Sequence, residues 1–395
     1  MTILSRLFGN AESKALHLTD PDALGLFGAI PTATGIHVSG SSALRVPAVA
    51  CAAALISETI GAMPAKVHLS ETKEAVKDQP AYRLVHDEAN EWTSAGQLRE
   101  DLTIDALLTD NGYAHVVRLD DGTPVELHRL DPATVQTDYE PDGEPFYIVQ
   151  TTQGPRRYSY RDILHIQPFG GLSPIKLGRE AIALSLAFEQ HVASLFANGA
   201  RPSGIIKSEK ALDVEAKKKI AGSWFSTHSG RNTGGTAILD EGMTYDQLSM
   251  TLADAQFAEN RLEQIREIAR VFRVPPTMLF ELTRGTWSNT EEMARQFHAI
   301  TLKPWLVSWA WAYARVLFTP EERAAFYIEF VTDDLLTTNS AARAAAYGQY
   351  RSMGAMTANE VRGGLNLAPR PDGNNLANPY TTSGAPDPAI QDQTA

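Results

Sequence analysis

The residue types that could do chemistry in this chain are scattered. No Walker-type phosphate loop, GxSxG elbow, HExxH pair, EF-hand loop or spaced cysteine set occurs among its 395 residues. Each of those arrangements exists because its chemistry needs donors at a fixed reach, so their absence removes the enzymes that leave a local signature. A convergent site needs no such signature, and ten histidines with 47 carboxylates leave a hydrolase open. His165, in the run DILHI, alternates with apolar neighbours and reads as a strand residue with a structural role. Gly170-Gly171 and Gly234-Gly235 could offer backbone N–H groups to phosphate, but glycine pairs in loops ordinarily mark turns.

Two clusters bear on polyanion contact. Lys217, Lys218 and Lys219 form a basic run inside a helical pattern. Consecutive helical residues fan out around the axis, so the three cannot face one phosphate groove, and a solvated face or an acidic partner suits them better. Trp287, close to Arg284, could stack on a base, yet one aromatic is no single-strand platform. Net charge is −12, and residues 87–144 hold 15 acidic against 3 basic residues. Tight DNA binding rests on Lys and Arg, so the acidic balance argues against it. The acidic stretch reads first as a solvated surface. Cys51, the single cysteine, excludes an internal disulfide framework and a multi-cysteine zinc site, and is expected to be a small core residue.

The elements that would position these residues can be read from pattern. Pro47 suits a first helical position, Val49, Ala52, Ala53, Ile56 and Ile60 recur at helical spacing, and Gly61 is expected to stop that helix. The strand AKVHL follows Pro64, and a second helix runs from about Ser94 to Leu108. Asp120-Asp121-Gly122 between two alternating runs predicts a hairpin, and Pro141-Asp142-Gly143 another turn. The part up to Phe169 is therefore α+β.

From Leu177 a long helix carries Leu184, Phe188, Val192 and Leu195 on one stripe. A second has Leu262, Ile265, Ala269 and Phe272, a start at Asp254 and a Pro275-Pro276 stop. Between them an insert is expected to hold a strand at GIIKS, a helix from Asp213 to about Phe225 and a strand at TAILD. After the irregular stretch TMLFELTRGTWSN, a capping box at Ser288 and Glu291 opens a third long helix. Its apolar side is assigned Phe297, Ile300, Trp305 and Trp309, with a kink at Pro304. The strand FYIEFV and two shorter helices follow, the first capped by Asn339 and stopped by Gly354, the second opened by Thr357 and Glu360. Residues 1–40 read as an arm and residues 369–395 as a polar disordered tail. No apolar segment approaches the roughly 20 residues of a membrane span.

The order of these elements resembles the portal, or head-to-tail connector, family of long-tailed siphophages and phage-like gene-transfer particles. The likeness runs from about Val46 to Pro369. It rests on VPAVACAAALISETIGAMPAKVHL, DNGYAHVVR, VELHRLDPATV, DILHIQPF with GLSPIKLGREAIALSLAFEQ, FANGARPSGII, AILDEGMTY, DAQFAENRLEQIREIARVFRVPPTML, WSNTEEMARQF and LKPWL in that order. Each segment alone is weak, and their joint order is specific.

The resemblance implies an α+β ring subunit without a cofactor, in a homo-dodecamer at a capsid vertex that passes double-stranded DNA. Its regions would be a wing (41–176 and 290–335), two stem helices (177–200 and 251–275), a clip insert (201–250), a tunnel loop (276–289) and a short crown (336–368). Arg284, Gly285, Thr286, Trp287, Ser288 and Asn289 would form the DNA-facing loop. Lys207, Lys210, Lys217, Lys218 and Lys219 would sit on the adaptor-facing clip. The implied partners are the major capsid protein, a terminase motor and a head-tail adaptor, in a virion or phage-like particle assembled in a bacterial cytoplasm. A particle-associated hydrolase is the competing class, and a membrane pore or soluble scaffold a third that lacks an amphipathic membrane face. A ring with a central hole, seen by negative stain, belongs to the first alone.

Overall fold

A computed structural model describes residues 32–197, 204–207, 213–228, 244–247, 252–282, 287–332, 340–365 and 367–376. The first long helix, α1 (Pro47–Ala62), starts on Pro47, whose missing N–H costs nothing at a helix start. Strand β1 (Ala65–Leu69), helix α2 (Pro80–His86), a small pair β2 (Glu88–Asn90) and β3 (Thr93–Ser94), and helix α3 (Ala95–Thr109) follow. The Ser94 hydroxyl accepts from Gln97 N–H and caps α3.

Helices α1 and α3 cross closely because Gly61 meets Gly96. A Cβ on Gly96 would lie 2.8 Å from the Gly61 carbonyl oxygen. Gly61 thus lies inside α1 rather than ending it: its role is a close crossing, not a left-handed stop. Beneath the crossing, the buried Arg99 of α3 donates to the carbonyls of Ile60 (3.4 Å), Gly61 (3.2 Å), Met63 (3.0 Å) and Val85 (2.6 Å). One guanidinium so satisfies carbonyls that the end of α1 leaves without partners.

The expected hairpins are present. Strands β4 (Gly112–Arg118) and β5 (Pro124–Leu130) turn at Gly122, whose φ of 87° needs glycine. Strands β6 (Val135–Tyr139), β7 (Pro145–Thr151) and β8 (Gly154–Ser159) make an antiparallel meander, and β9 (Ile163–Ile166) pairs with β4. Asp110 ends α3 in the left-handed region, and its carboxylate accepts from Ser173 N–H (2.6 Å) and Lys176 (2.5 Å). The short helix α4 (Pro174–Leu177) is pinned by this contact. Helices α5 (Arg179–Ala197) and α6 (Val214–His228), strands β10 (Gly204–Lys207) and β11 (Thr244–Gln247), and helix α7 (Leu252–Phe272) come next.

Beyond α7 lie α8 (Trp287–Gln296), a π-helical segment Phe297–Leu302 and α9 (Lys303–Leu317). Strand β12 (Phe326–Phe330) pairs antiparallel with β1, and α10 (Ser340–Ser352) and α11 (Ala358–Gly364) end the described helices. The fully buried Trp309 donates to Thr103 Oγ1 (3.1 Å), and Arg118 and Arg315 donate to the carbonyls of Val316 (2.6 Å) and Ile163 (3.1 Å). Residues 303–330 therefore share one core with residues 43–186, and Cys51 packs at its edge.

Several sequence expectations need correction. The strand at GIIK is present and pairs antiparallel with β11, while the expected strand TAILD lies outside the described residues. Helix α7 begins at Leu252, so Asp254 is inside it, a two-residue slip of the kind helix ends allow. The break near Pro304 is a π turn. Its added residue shifts the phase of the helix, so Ile300 faces outward and Trp305 is only half-buried. Gly354 (φ 70°) does end α10, and the Thr357–Glu360 box does open α11, whereas Asn339 lies outside the described residues. Residues 370–374, counted with the polar tail, hydrogen-bond to Asn359 of α11.

Candidate functional site

The candidate site is the corner between α7 and α9, and its backbone is unusual on both sides of a Pro-Pro step. Arg273 follows α7 at φ 58°, Arg273 N–H reaches the Arg270 carbonyl (3.1 Å), and Val274 N–H reaches the Ala269 carbonyl (2.9 Å). This is a complete Schellman stop with arginine where glycine is usual. Pro275 and Pro276 lead into a 3₁₀ turn, Pro276–Leu279, which ends at Phe280 with φ 61°. A left-handed aromatic residue is an outlier that its surroundings must hold.

They do so with side chains from four elements. Buried Glu281 accepts from Arg266 of α7 at 3.4 Å. The Thr277 hydroxyl contacts Met293 Sδ of α8 (2.9 Å), and the Cys51 thiol lies 3.8 Å from the Met278 carbonyl. Thr301, in the π segment, donates to the Arg273 carbonyl at 2.5 Å. The π segment has its own cause. An α-helical ladder would require Pro304 to donate to the Ile300 carbonyl, and proline has no N–H. Lys303 N–H bonds instead to the His298 carbonyl, five residues back.

The sequence-predicted loop residues fare unevenly. Arg284, Gly285 and Thr286 lie outside the described residues, whereas Trp287, Ser288 and Asn289 form the first turn of α8 and so are not loop. A capping-box pattern locates a helix start only to within a residue or two. Residues 276–282, also assigned to the loop, form the braced turn. On the insert, Lys217, Lys218 and Lys219 are all exposed on α6, Lys218 is 3.9 Å from Glu215, Lys207 ends β10, and Lys210 lies outside the described residues. In the sequence, Arg273 counts only with the stem helix 251–275, Phe280 with the loop 276–289 and Thr301 with the second wing segment, and none has a role of its own. Only the Val-Pro-Pro after a helix hinted at a special stop.

Charge along α7 is internally matched. Arg261 lies 4.0 Å from Glu189 of α5, Arg266 3.2 Å from Glu263, and Arg270 3.3 Å from Glu263 with Glu267 also in contact. Such a helix offers little free positive charge to phosphate.

His165 bridges Tyr147 Oη (3.0 Å) and Asn111 Oδ1 (2.9 Å). Burial, with Arg315 nearby, lowers its pKa to about 3. A neutral imidazole tied at both nitrogens is a structural bridge, as the strand pattern suggested. Among the described residues no helix is long and apolar enough to cross a membrane.

The phage portal protein family model matches residues 47–366. The chain belongs to that family. The probable portal protein of Streptomyces phage phiC31 is 29% identical over 412 residues, which cover 94% of this chain and 87% of that protein. Among solved structures, a chain of the virion of a native gene transfer agent particle is 25% identical with TM-score 0.60, over 89% of this chain and 99% of that one. A chain from the neck of the native gene transfer agent particle, computed with C12 symmetry, is 24% identical with TM-score 0.59, over 88% and 100%.

Proposed function

We propose that twelve copies of this chain close into a ring at one capsid vertex, through which double-stranded DNA enters during packaging and leaves during ejection. The observation that carries this reading is the braced corner. A left-handed Schellman stop and the Arg266–Glu281 pair hold the residues that precede 283 against α7, and α8 beyond residue 286 runs into the π segment that Thr301 ties to Arg273. A short segment held this way can touch a passing duplex without loading the fold that carries it. In this reading Arg284, Gly285 and Thr286, with Trp287, Ser288 and Asn289 at the start of α8, face the channel, and α5 and α7 form the stem. The insert between them, with Lys207, Lys210, Lys217, Lys218 and Lys219, is the clip that meets the terminase motor and then the head-tail adaptor. The core around α1, α3 and α9 is the wing beside the major capsid protein, and α10 and α11 are the crown. The self-paired charge of α7 supports a sliding contact, since sequence-blind passage needs few phosphate neutralisations. The C12 symmetry used for the gene transfer agent neck supports the number twelve. Electron microscopy of the purified protein, with its mass in solution, tests the reading. Rings with a central hole are expected, and a protein that stays monomeric at every concentration would refute it.

A further inference from the structure

Helix α9 and the π segment before it are apolar on two sides. Leu302, Leu306, Trp309 and Tyr313 are buried in the core, while Ile300, Pro304, Val307 and Trp311 recur at helical spacing on the outside, Val307 61% and Trp311 62% exposed. A helix with apolar residues all round belongs in an interior, so the outer stripe calls for a partner. Beside the stripe lies an open cavity of about 350 Å³ walled by Phe169, Leu172, Leu177, Pro304 and Trp305. That is roughly ten times the ~30 Å³ share of a water molecule, room for an aromatic and an aliphatic side chain together. Phe169 is itself 73% exposed, set between the left-handed glycines Gly170 and Gly171 and the Arg273 guanidinium, which lies 4.7 Å from its ring centroid.

The braced corner presents exposed apolar side chains. Phe280 is 82% exposed although its backbone is held in a left-handed conformation, and Leu282 beside it is exposed too. Strain that fixes an aromatic ring in water gives the single subunit nothing. The corner touches α1 at Cys51 and the cavity touches it at Ile56. Five residues at 3.6 per turn place those points about 140° apart around the helix. The cavity wall also takes in Arg273 and Thr301, so it adjoins the corner, but Phe280 and Leu282, beyond the Pro-Pro step, line none of it. Two unlike, complementary patches on one chain are what a ring-closing heterologous contact requires.

We infer that Phe280 and Leu282 of one subunit seat in the cavity between Phe169 and Trp305 of the next copy, and that this contact repeats around the ring. The inference rests on the ring reading and says which faces meet. It is tested in a Cys51→Ala background by pairing Phe280→Cys with Ser308→Cys on the cavity wall and oxidising with diamide. The double variant should give a ladder of covalent multimers on a denaturing gel, and neither single variant should. Rings of native mass without a ladder would overturn the contact while leaving the ring intact, and a wild-type chain that never forms rings would remove the ring reading itself. Phe280→Asp supplies a second arm. Since Phe280 is solvent-exposed in the subunit, its far-UV circular dichroism should be unchanged, while the concentration at which rings dissociate should rise at least about tenfold, as for a central aromatic anchor. Rings as durable as the parent's in that variant would refute the proposal.

Discussion

Arg99 shows how one residue can decide a local architecture. No carboxylate lies beside its buried guanidinium among the described ion pairs, and the four carbonyls it serves belong to α1, the turn after it and α2. Arg99→Met would leave several carbonyls buried without donors, each costing about 1–3 kcal/mol. A loss of at least about 3 kcal/mol is therefore expected, read as a urea midpoint at fixed protein concentration, because stability of an oligomer depends on concentration. An unchanged midpoint would mean that water takes over the role. His165 gives a pH signature. Its folded pKa, about 3, lies below the ordinary value of 6.5, so its contribution is present above pH 6.5 and is lost as pH falls from there toward 3. One proton gives a slope of up to about 1.4 kcal/mol per pH unit in that window. His165→Asn should flatten the stability profile between pH 6 and 4, and a parallel profile would show that the imidazole is protonated in place. The structural role of His165 was legible in the alternation of DILHI. That of Arg99 was not, because QLREDL looks like any solvated helix face and its burial depends on where α1 ends.

At the scale of elements, the sequence disclosed what local chemistry controls. Pro47, Ser94 and the Thr357–Glu360 box start helices, Gly122 turns a hairpin, and Pro275-Pro276 keep the chain from resuming a helix after the stop of α7, each through its own backbone constraint. What it concealed depends on distant partners. Gly61 reads as a helix end and is a crossing point because Gly96 lies against it. The left-handed Arg273 and Phe280 contradict residue preference and persist because Thr301, Arg266 and Cys51 hold their surroundings. Pro304 announced a break but not its form, and the π turn it imposes rotates Ile300 outward. Pro304→Ala would restore a donor for an α-helical turn. A regained hydrogen bond of about 1 kcal/mol corresponds to about fivefold slower amide exchange across 297–303. Hydrogen-exchange mass spectrometry should show that slowing, and equal or faster exchange would mean that packing, not proline, sets the π turn.

For the whole molecule, the order of segments carried more than any residue, since that order is what the portal family model matches over residues 47–366. The acidic balance, −12 overall with 15 acids against 3 bases in residues 87–144, sets a repulsive background for DNA. In the proposed channel, contact against that background is expected at the stretch between the braced turn and α8, residues 283–286. Its sequence, Thr283-Arg284-Gly285-Thr286, supplies one cation per subunit, and each added phosphate contact steepens the salt dependence of DNA binding by about one unit of slope. Gly285 is the residue there with the widest backbone freedom, and proline at that position would fix its own φ and restrict Arg284 as well. Glu281 is held to Arg266 before this stretch, and α8 after it runs into the π segment that Thr301 ties to Arg273, so in the proposed ring the change is expected to leave assembly intact. Gly285→Pro is therefore expected to form rings of native mass and to lower DNA packaging or retention, with Gly285→Ala in between. Particles built with Gly285→Pro that fill and hold DNA like the parent would show that the segment does not need to move, and the channel contact would have to be sought elsewhere on the inner wall.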